Sequence, residues 1–153
     1  MYKKILVPLD GSEFSECSLE HVKAIASGCG VPEVILFRIT EPLHITEEFV
    51  NEFGQDLIVK AEKRNKKATQ NYLTRIADIL KHGGLSVRTV VEHGFPADKI
   101  IKYAKNNHVD LIIMSTHGKS GVSRWAMGSV ADKVARNAIV PVLIVTPTSC
   151  RVT

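Results

Sequence analysis

The sequence predicts an α/β fold, a three-layer sandwich in which helices cover both faces of one five-stranded parallel sheet. Short apolar runs rich in β-branched residues recur along the chain, and the stretches between them carry apolar residues at helical spacing. Glycine, proline or helix-capping residues stand at most of the junctions. Strands that alternate with helices in this way run parallel, because each crossover returns the chain to the same end of the sheet. Right-handed crossovers then distribute the helices over both faces.

Each element has a local reason. Ile5-Leu6-Val7 is a first strand, and Asp10-Gly11-Ser12-Glu13 after it supplies turn chemistry with Ser12 as a helix N-cap. Leu19, Val22, Lys23 and Ala26 follow at helical spacing, closed by Gly28, Cys29, Gly30 and Pro32. Val34-Ile35-Leu36-Phe37-Arg38-Ile39 is a second strand, stopped by Glu41-Pro42. From about 46 to 81, Phe49, Phe53, Leu57, Ala61, Ala68, Tyr72, Ile76 and Leu80 recur at multiples of about four, which predicts one long helix or two consecutive ones. Gly83-Gly84 ends it. Ser86-Val87-Arg88-Thr89-Val90-Val91 is a third strand, followed by a helix marked by Ile100, Ile101 and Ala104. Leu111-Ile112-Ile113-Met114 is a fourth strand, and Val130, Val134 and Ala135 mark a last helix. Val140-Pro141-Val142-Leu143-Ile144-Val145 is the fifth strand, its proline favouring a strand start or an edge.

The composition narrows the function. With 153 residues, 44% hydrophobic and 24% charged, the chain is expected to form a single domain over 1–153. No apolar run approaches the roughly 18 residues of a membrane span. The apolar stretch behind Met1-Tyr2-Lys3-Lys4 stops at Pro8-Leu9-Asp10, too soon for a signal peptide, so a cytoplasmic location is expected, with no membrane partner. The net charge of +4 is mild and its lysines and arginines are interleaved with acids, so no nucleic-acid partner is expected. The basic stretch 60–67 reads as the solvated face of a helix. Cys17, Cys29 and Cys150 are far apart and form no CxxC pair, so they read as free thiols; the histidines show no metal-ligand spacing, so no protein-held metal is expected.

In a sheet of this kind, ligands bind outside the carboxyl ends of the strands, where the strand order reverses. Asp10-Gly11-Ser12 follows the first strand, and Ser115-Thr116-His117-Gly118-Lys119-Ser120-Gly121 follows the fourth. The second loop runs through Arg124 to Gly128-Ser129, just before a helix. Glycines that let backbone N–H groups approach closely, two cations and a helix start outline an anion site. Familiar alternatives fail at required positions. Gly118-Lys119-Ser120 is no Walker A loop, because Ile113 stands where the leading glycine belongs. GxGxxG is absent after the first strand, and Gly121-Val122-Ser123-Arg124 is followed by Trp125 rather than the glycine of a nucleophile elbow. No catalytic residue is assigned, and His117 is read as structural.

Three segments together resemble the universal stress protein family over nearly the whole chain. They are Lys4-Ile5-Leu6-Val7-Pro8-Leu9-Asp10-Gly11-Ser12, Val91-Glu92-His93-Gly94-Phe95-Pro96, and Ile112 to Lys119 with Gly128-Ser129-Val130. The ATP-binding branch of that family carries a glycine, two residues, a glycine, nine residues, then glycine with serine or threonine. Gly118 and Gly128-Ser129 match; Ser115 stands in place of the first glycine.

The resemblance implies a Rossmann-like sheet of order 3-2-1-4-5, of the adenine nucleotide alpha hydrolase-like type. It implies Asp10 at the ribose with Pro8 and Leu9 beside the base, and Ile39 presenting its backbone to adenine. Met114, Ser115, Thr116 and Gly118 would line the nucleotide, and Gly128, Ser129 and Val130 would hold phosphates. The implied cofactor is ATP or AMP with Mg2+ on the phosphates. The implied partner is a second copy, joined through Val142, Leu143, Ile144 and Val145. The expected role is nucleotide-dependent stress response or signalling with at most slow ATP hydrolysis; the alternative is a dimeric interaction module that binds no nucleotide, which Ser115 favours. An ATP pyrophosphatase is disfavoured, because Leu9-Asp10-Gly11-Ser12 replaces the glycine-rich signature expected there. Gly128→Val is expected to abolish nucleotide binding with the fold intact.

Overall fold

The computed structural model describes residues 1–42, 45–117 and 127–146. Along the chain run β1 (Lys4–Pro8), α1 (Glu13–Glu16), α2 (Ser18–Gly28), β2 (Glu33–Thr40), α3 (Glu47–Phe53), α4 (Gln55–His82), β3 (Val87–His93), α5 (Pro96–Asn106), β4 (Leu111–Ser115), α6 (Ser129–Asn137) and β5 (Val142–Val145). All strand pairings are parallel, and the sheet order is β3-β2-β1-β4-β5. That is the Rossmann-like order implied by the resemblance.

The strands are nearly continuous apolar runs because both of their faces are covered. Ile5 and Val7 of β1, Val34 and Leu36 of β2, and Leu111 and Ile113 of β4 pack with Val22 and Ala26 of α2 and Leu73, Ile76, Ala77 and Leu80 of α4. The intervening Leu6, Ile35, Phe37, Ile112 and Met114 face the other way, against Ala97, Ile100, Tyr103 and Ala104 of α5 and Ala131 and Val134 of α6. The period of two along each strand thus divides the core into two apolar layers. Each fully buried Ile, Leu or Val side chain contributes about 1.5–3 kcal/mol.

Local chemistry sets the helix ends. Ser12 caps α1, its hydroxyl accepting from the Ser15 N–H at 3.2 Å. Pro96 opens α5, where its missing N–H costs nothing. The long helical pattern is two helices, because Gly54, with φ of +79°, breaks the chain between α3 and α4. Ile76 and Leu80 are buried as expected, but Phe49, Phe53 and Leu57 are exposed, and α4 also buries Ile58, Thr69, Leu73 and Ala77. A four-residue step overshoots a helical turn by about 40°, so a stripe counted in fours winds off the buried face over such a length. Residues 60–67 are all exposed, as a solvated basic face requires.

β5 lies at an edge of the sheet and begins just after Pro141, whose carbonyl accepts from the Ile112 N–H at 3.0 Å. Cys29 is a free, exposed thiol, but Cys17 is disulfide-bonded, which corrects the expectation of three free thiols. Sequence distance cannot exclude a pair that folding brings together. Among the described residues, no helix is long and apolar enough to cross a membrane.

Candidate functional site

The sheet order reverses between β1, which leads outward to β2, and β4, which leads outward to β5. The loops after β1 and β4 therefore diverge, and a cavity of about 500 Å³ opens at the carboxyl ends of the strands. Its size is that of a small-molecule site.

The β1 side is built by a tight polar turn. The Leu9 N–H donates to the Phe37 carbonyl at 2.9 Å, holding the end of β1 against β2. Asp10 Oδ1 accepts from both the N–H and the hydroxyl of Ser12, at 2.9 and 2.6 Å, so the carboxylate is oriented before any ligand arrives. The Asp10 N–H in turn donates to Ser15 Oγ at 3.3 Å. Gly11 takes φ of +85°, which this turn needs and which most side chains resist.

The β4 side is built by one close backbone approach. The Thr116 N–H donates to the Val145 carbonyl at 2.9 Å, and the Gly128 N–H donates back to the Thr116 carbonyl at 2.8 Å. The chain thus returns to the end of β4 before α6 begins. A Cβ on Gly128 would lie 2.6 Å from the Thr116 oxygen, so only glycine fits there. This corrects the expectation that Gly128→Val would leave the fold intact: the added carbon meets backbone before it reaches any ligand.

Gly128 is the N-cap of α6 and offers no side-chain cap. By helix geometry, the Ser129, Val130 and Ala131 N–H groups have no carbonyl within α6 to donate to, and all three residues line the cavity. The positive end of the helix dipole points the same way. The result is a pocket with the amide-rich start of α6 at one end and an apolar floor of Pro8, Leu9, Ile39, Ile100 and Met114.

Of the residues expected to form the site, Pro8, Leu9, Asp10, Ile39, Met114, Ser115, Thr116, Gly128, Ser129 and Val130 all line this cavity. Gly118, with Lys119, Ser120, Gly121 and Arg124, lies outside the described residues. Ser115 is 6% exposed, with its Oγ 3.5 Å from the His117 N–H. His117 also lines the cavity. Its Nδ1 is 2.8 Å from Thr116 Oγ1, and its buried Nε2 has no partner among the described residues.

The sequence reading missed a polar wall made by Ser15, Arg38, Thr40, Glu41, Asn65 and Thr69. Two signals were available. Arg38 is a lone cation in an otherwise apolar strand run, and Asn65 and Thr69 are polar residues one helical turn apart on α4. Thr69 is only 2% exposed.

Comparison with known proteins agrees with this fold. The model of the Universal stress protein family matches residues 1–146. The universal stress protein MJ0577 of Methanocaldococcus jannaschii is 33% identical over 159 aligned positions, spanning 95% of each chain. Its solved structure has a TM-score of 0.75, with 36% identity over 95% of this chain and 96% of that one. A universal stress protein solved in complex with cAMP has a TM-score of 0.70 at 22% identity, covering 95% of this chain and 98% of its own. One from Archaeoglobus fulgidus, solved in complex with dAMP, has a TM-score of 0.63 at 20% identity, covering 94% and 97%. The chain belongs to the universal stress protein family.

Proposed function

We propose that this protein binds an adenine nucleotide, ATP or AMP, in the crevice between β1 and β4, and that occupancy of the crevice governs a stress-response or signalling output. The observation that carries this reading is the junction of β4 and α6. There Gly128 is pinned to Thr116, and the uncapped amides of Ser129, Val130 and Ala131 face a cavity that also holds Asp10. The cAMP and dAMP complexes of proteins with this fold support an adenine nucleotide as the ligand class.

In this reading the Asp10 carboxylate accepts from ribose hydroxyls, and the backbone of Ile39 pairs with the adenine edge. Pro8, Leu9, Met114, Ser115 and Thr116 exclude water from the base and sugar. Gly128, Ser129 and Val130 hold the phosphates, and Gly118 is assigned to the lining of the nucleotide. Among the described residues no cluster of His, Cys, Asp or Glu is arranged to hold a metal ion, so Mg2+ would enter on the phosphates. No general base is assigned, and hydrolysis would be slow. Isothermal titration of nucleotide-stripped protein with ATP and magnesium, with GTP as control, tests the reading. Saturable binding of ATP and not of GTP is expected; no binding of either over a wide concentration range refutes it.

A second reading, a dimeric interaction module without nucleotide, is favoured by Ser115, which puts a Cβ and a hydroxyl where the family motif has none. Both readings include a homodimer through β5, whose Val142, Leu143 and Ile144 are only partly buried at the open edge of the sheet. Sedimentation at micromolar concentration is expected to return a dimer mass, and a monomer there removes that part of the proposal.

A further inference from the structure

We propose that Arg38 reads the ribose end of the crevice, making the pocket prefer adenine nucleotides that carry a second phosphate on a ribose hydroxyl. The inference rests on the adenine-nucleotide reading above and adds a chemical class of ligand to it. Arg38 stands at the carboxyl end of β2, next to Ile39, and lines the cavity together with Asp10, Asn65 and Thr69. Its position in the strand places it on the α4 side of the sheet, where its guanidinium carbon lies 4.9 Å from the centroid of the Tyr72 ring. The hydroxyl of Tyr72 donates to Glu16 at 2.9 Å, which fixes the ring beneath the guanidinium.

The guanidinium also lies close to the turn that follows Asp10. A Cβ on Gly11 would sit 2.6 Å from Arg38 Nη1 and 3.0 Å from Cζ, so glycine at this position admits the arginine. The cation, stacked on Tyr72, thus stands beside the turn that carries the residue assigned to the ribose. Among the described residues it forms no ion pair with a carboxylate; Tyr72 stacking is its one specific contact. A partly buried guanidinium whose fork of donors opens on a ligand cavity is arranged to receive an anion, and a phosphate matches its planar geometry.

Asp10 does not forbid that anion. Its Oδ1 already accepts two hydrogen bonds from Ser12, which offset part of its charge. In dinucleotide folds the same division of labour is known: a carboxylate takes a free ribose hydroxyl, and a nearby arginine takes a ribose phosphate. Thr69 and Asn65 of α4 bring a hydroxyl and an amide to the same wall. The anion site at α6 takes the 5′-phosphate, so Arg38 is left for a second one, across β1 from the first.

The test is calorimetric titration of the full chain, without magnesium, with adenosine 5′-monophosphate, adenosine 2′,5′-bisphosphate and adenosine 3′,5′-bisphosphate. One of the bisphosphates is expected to bind about ten- to a hundredfold tighter than the monophosphate, as a hydrogen-bonded charge pair supplies. In Arg38→Gln that ratio falls to near one, and in Arg38→Lys, which keeps the charge without the fork, it falls to an intermediate value. Thermal melting of each variant reports its folding, and the ratio measured on the unaltered protein stands alone if a variant does not fold. Equal affinity for all three nucleotides in the unaltered protein overturns the inference and leaves the nucleotide reading standing. A ratio that survives in Arg38→Gln also overturns it. Failure of all three to bind removes the nucleotide reading itself, and the inference with it.

Discussion

Replacing Gly128 by alanine adds one carbon at the point where the chain comes back to β4. That carbon would lie 2.6 Å from the Thr116 carbonyl oxygen, whereas ordinary contact begins at 3.4 Å, so the two segments must part by the difference, 0.8 Å. The contact is with backbone on both sides, and no side-chain rotation relieves it. The Gly128 N–H to Thr116 bond, 2.8 Å long, stretches with the same movement. Overpacking of this kind costs about 1–3 kcal/mol and a weakened backbone hydrogen bond about 1 kcal/mol, so the variant is expected to lose about 2–4 kcal/mol of stability. The N-terminus of α6 moves with Gly128, and a misplaced cradle loses charge-assisted bonds to phosphate, lowering ATP affinity by at least about tenfold. Urea unfolding at neutral pH and calorimetric titration with ATP and magnesium check the two effects. A variant within about 0.5 kcal/mol of the parent protein, with unchanged affinity, would refute the close-approach argument and with it the assignment of this junction as the phosphate cradle.

Two further outcomes follow from the same geometry. Ser129 is exposed at the first turn of α6, so Ser129→Ala should leave the urea midpoint unchanged while ATP affinity falls about three- to tenfold; equal affinity in the two proteins would remove its hydroxyl from the phosphate site. Tyr72 has its pKa pushed above the ordinary tyrosine value, first by burial and then by its hydrogen bond to Glu16. The neutral phenol is thus favoured in the folded chain, its contribution being complete below about pH 10 and declining as pH rises above that value, where the unfolded chain ionises first. Urea midpoints at successive pH values from 9 to 11 should fall more steeply for the parent protein than for Tyr72→Phe, and parallel curves would contradict the assignment.

The parallel sheet was legible because both of its determinants are local. Apolar runs such as 34–37 and 111–114 are too short for helices and lack the alternation of a half-solvated strand, so they read as strands buried on both faces. The end of β1 was legible for a similar reason: Asp10, Gly11 and Ser12 are a turn and a cap at once. The α4 wall of the cavity was not. Thr69 looks like any polar helix residue until the helix is laid on β2 and β3, and the four-residue count that found the buried Ile76 and Leu80 drifts off the buried face toward the start of the helix, at Leu57 and Ala61. The Cys17 disulfide was hidden in the same way, since spacing along the chain carries no information on a pair brought together by folding. Arg38 carried a signal that went unread. A cation inside Val34-Ile35-Leu36-Phe37-Arg38-Ile39 breaks the apolar pattern that made the segment a strand, and it falls where β2 reaches the cavity.

The serine at position 115 then has a different weight from the one the motif alone gives it. Among the described residues, the only one other than glycine with positive φ is His108, so Ser115 holds a conformation open to any side chain. It is the last residue of β4, paired with Val145, and its neighbour Thr116 is fixed by an N–H to the Val145 carbonyl. Nothing in that setting requires glycine for the chain to turn. The close approach that does require it falls at Gly128, where the motif is intact. Glycines in one motif thus have separate purposes: Gly128 lets the chain return to the sheet, and in the nucleotide reading the motif's leading glycine would clear room beside the ligand. Losing the second while keeping the first leaves the loop anchored and narrows the space beside Met114 by the volume of one small hydroxymethyl group. The readings with and without nucleotide therefore divide on whether that volume is tolerated next to a bound phosphate, a question of affinity rather than of fold.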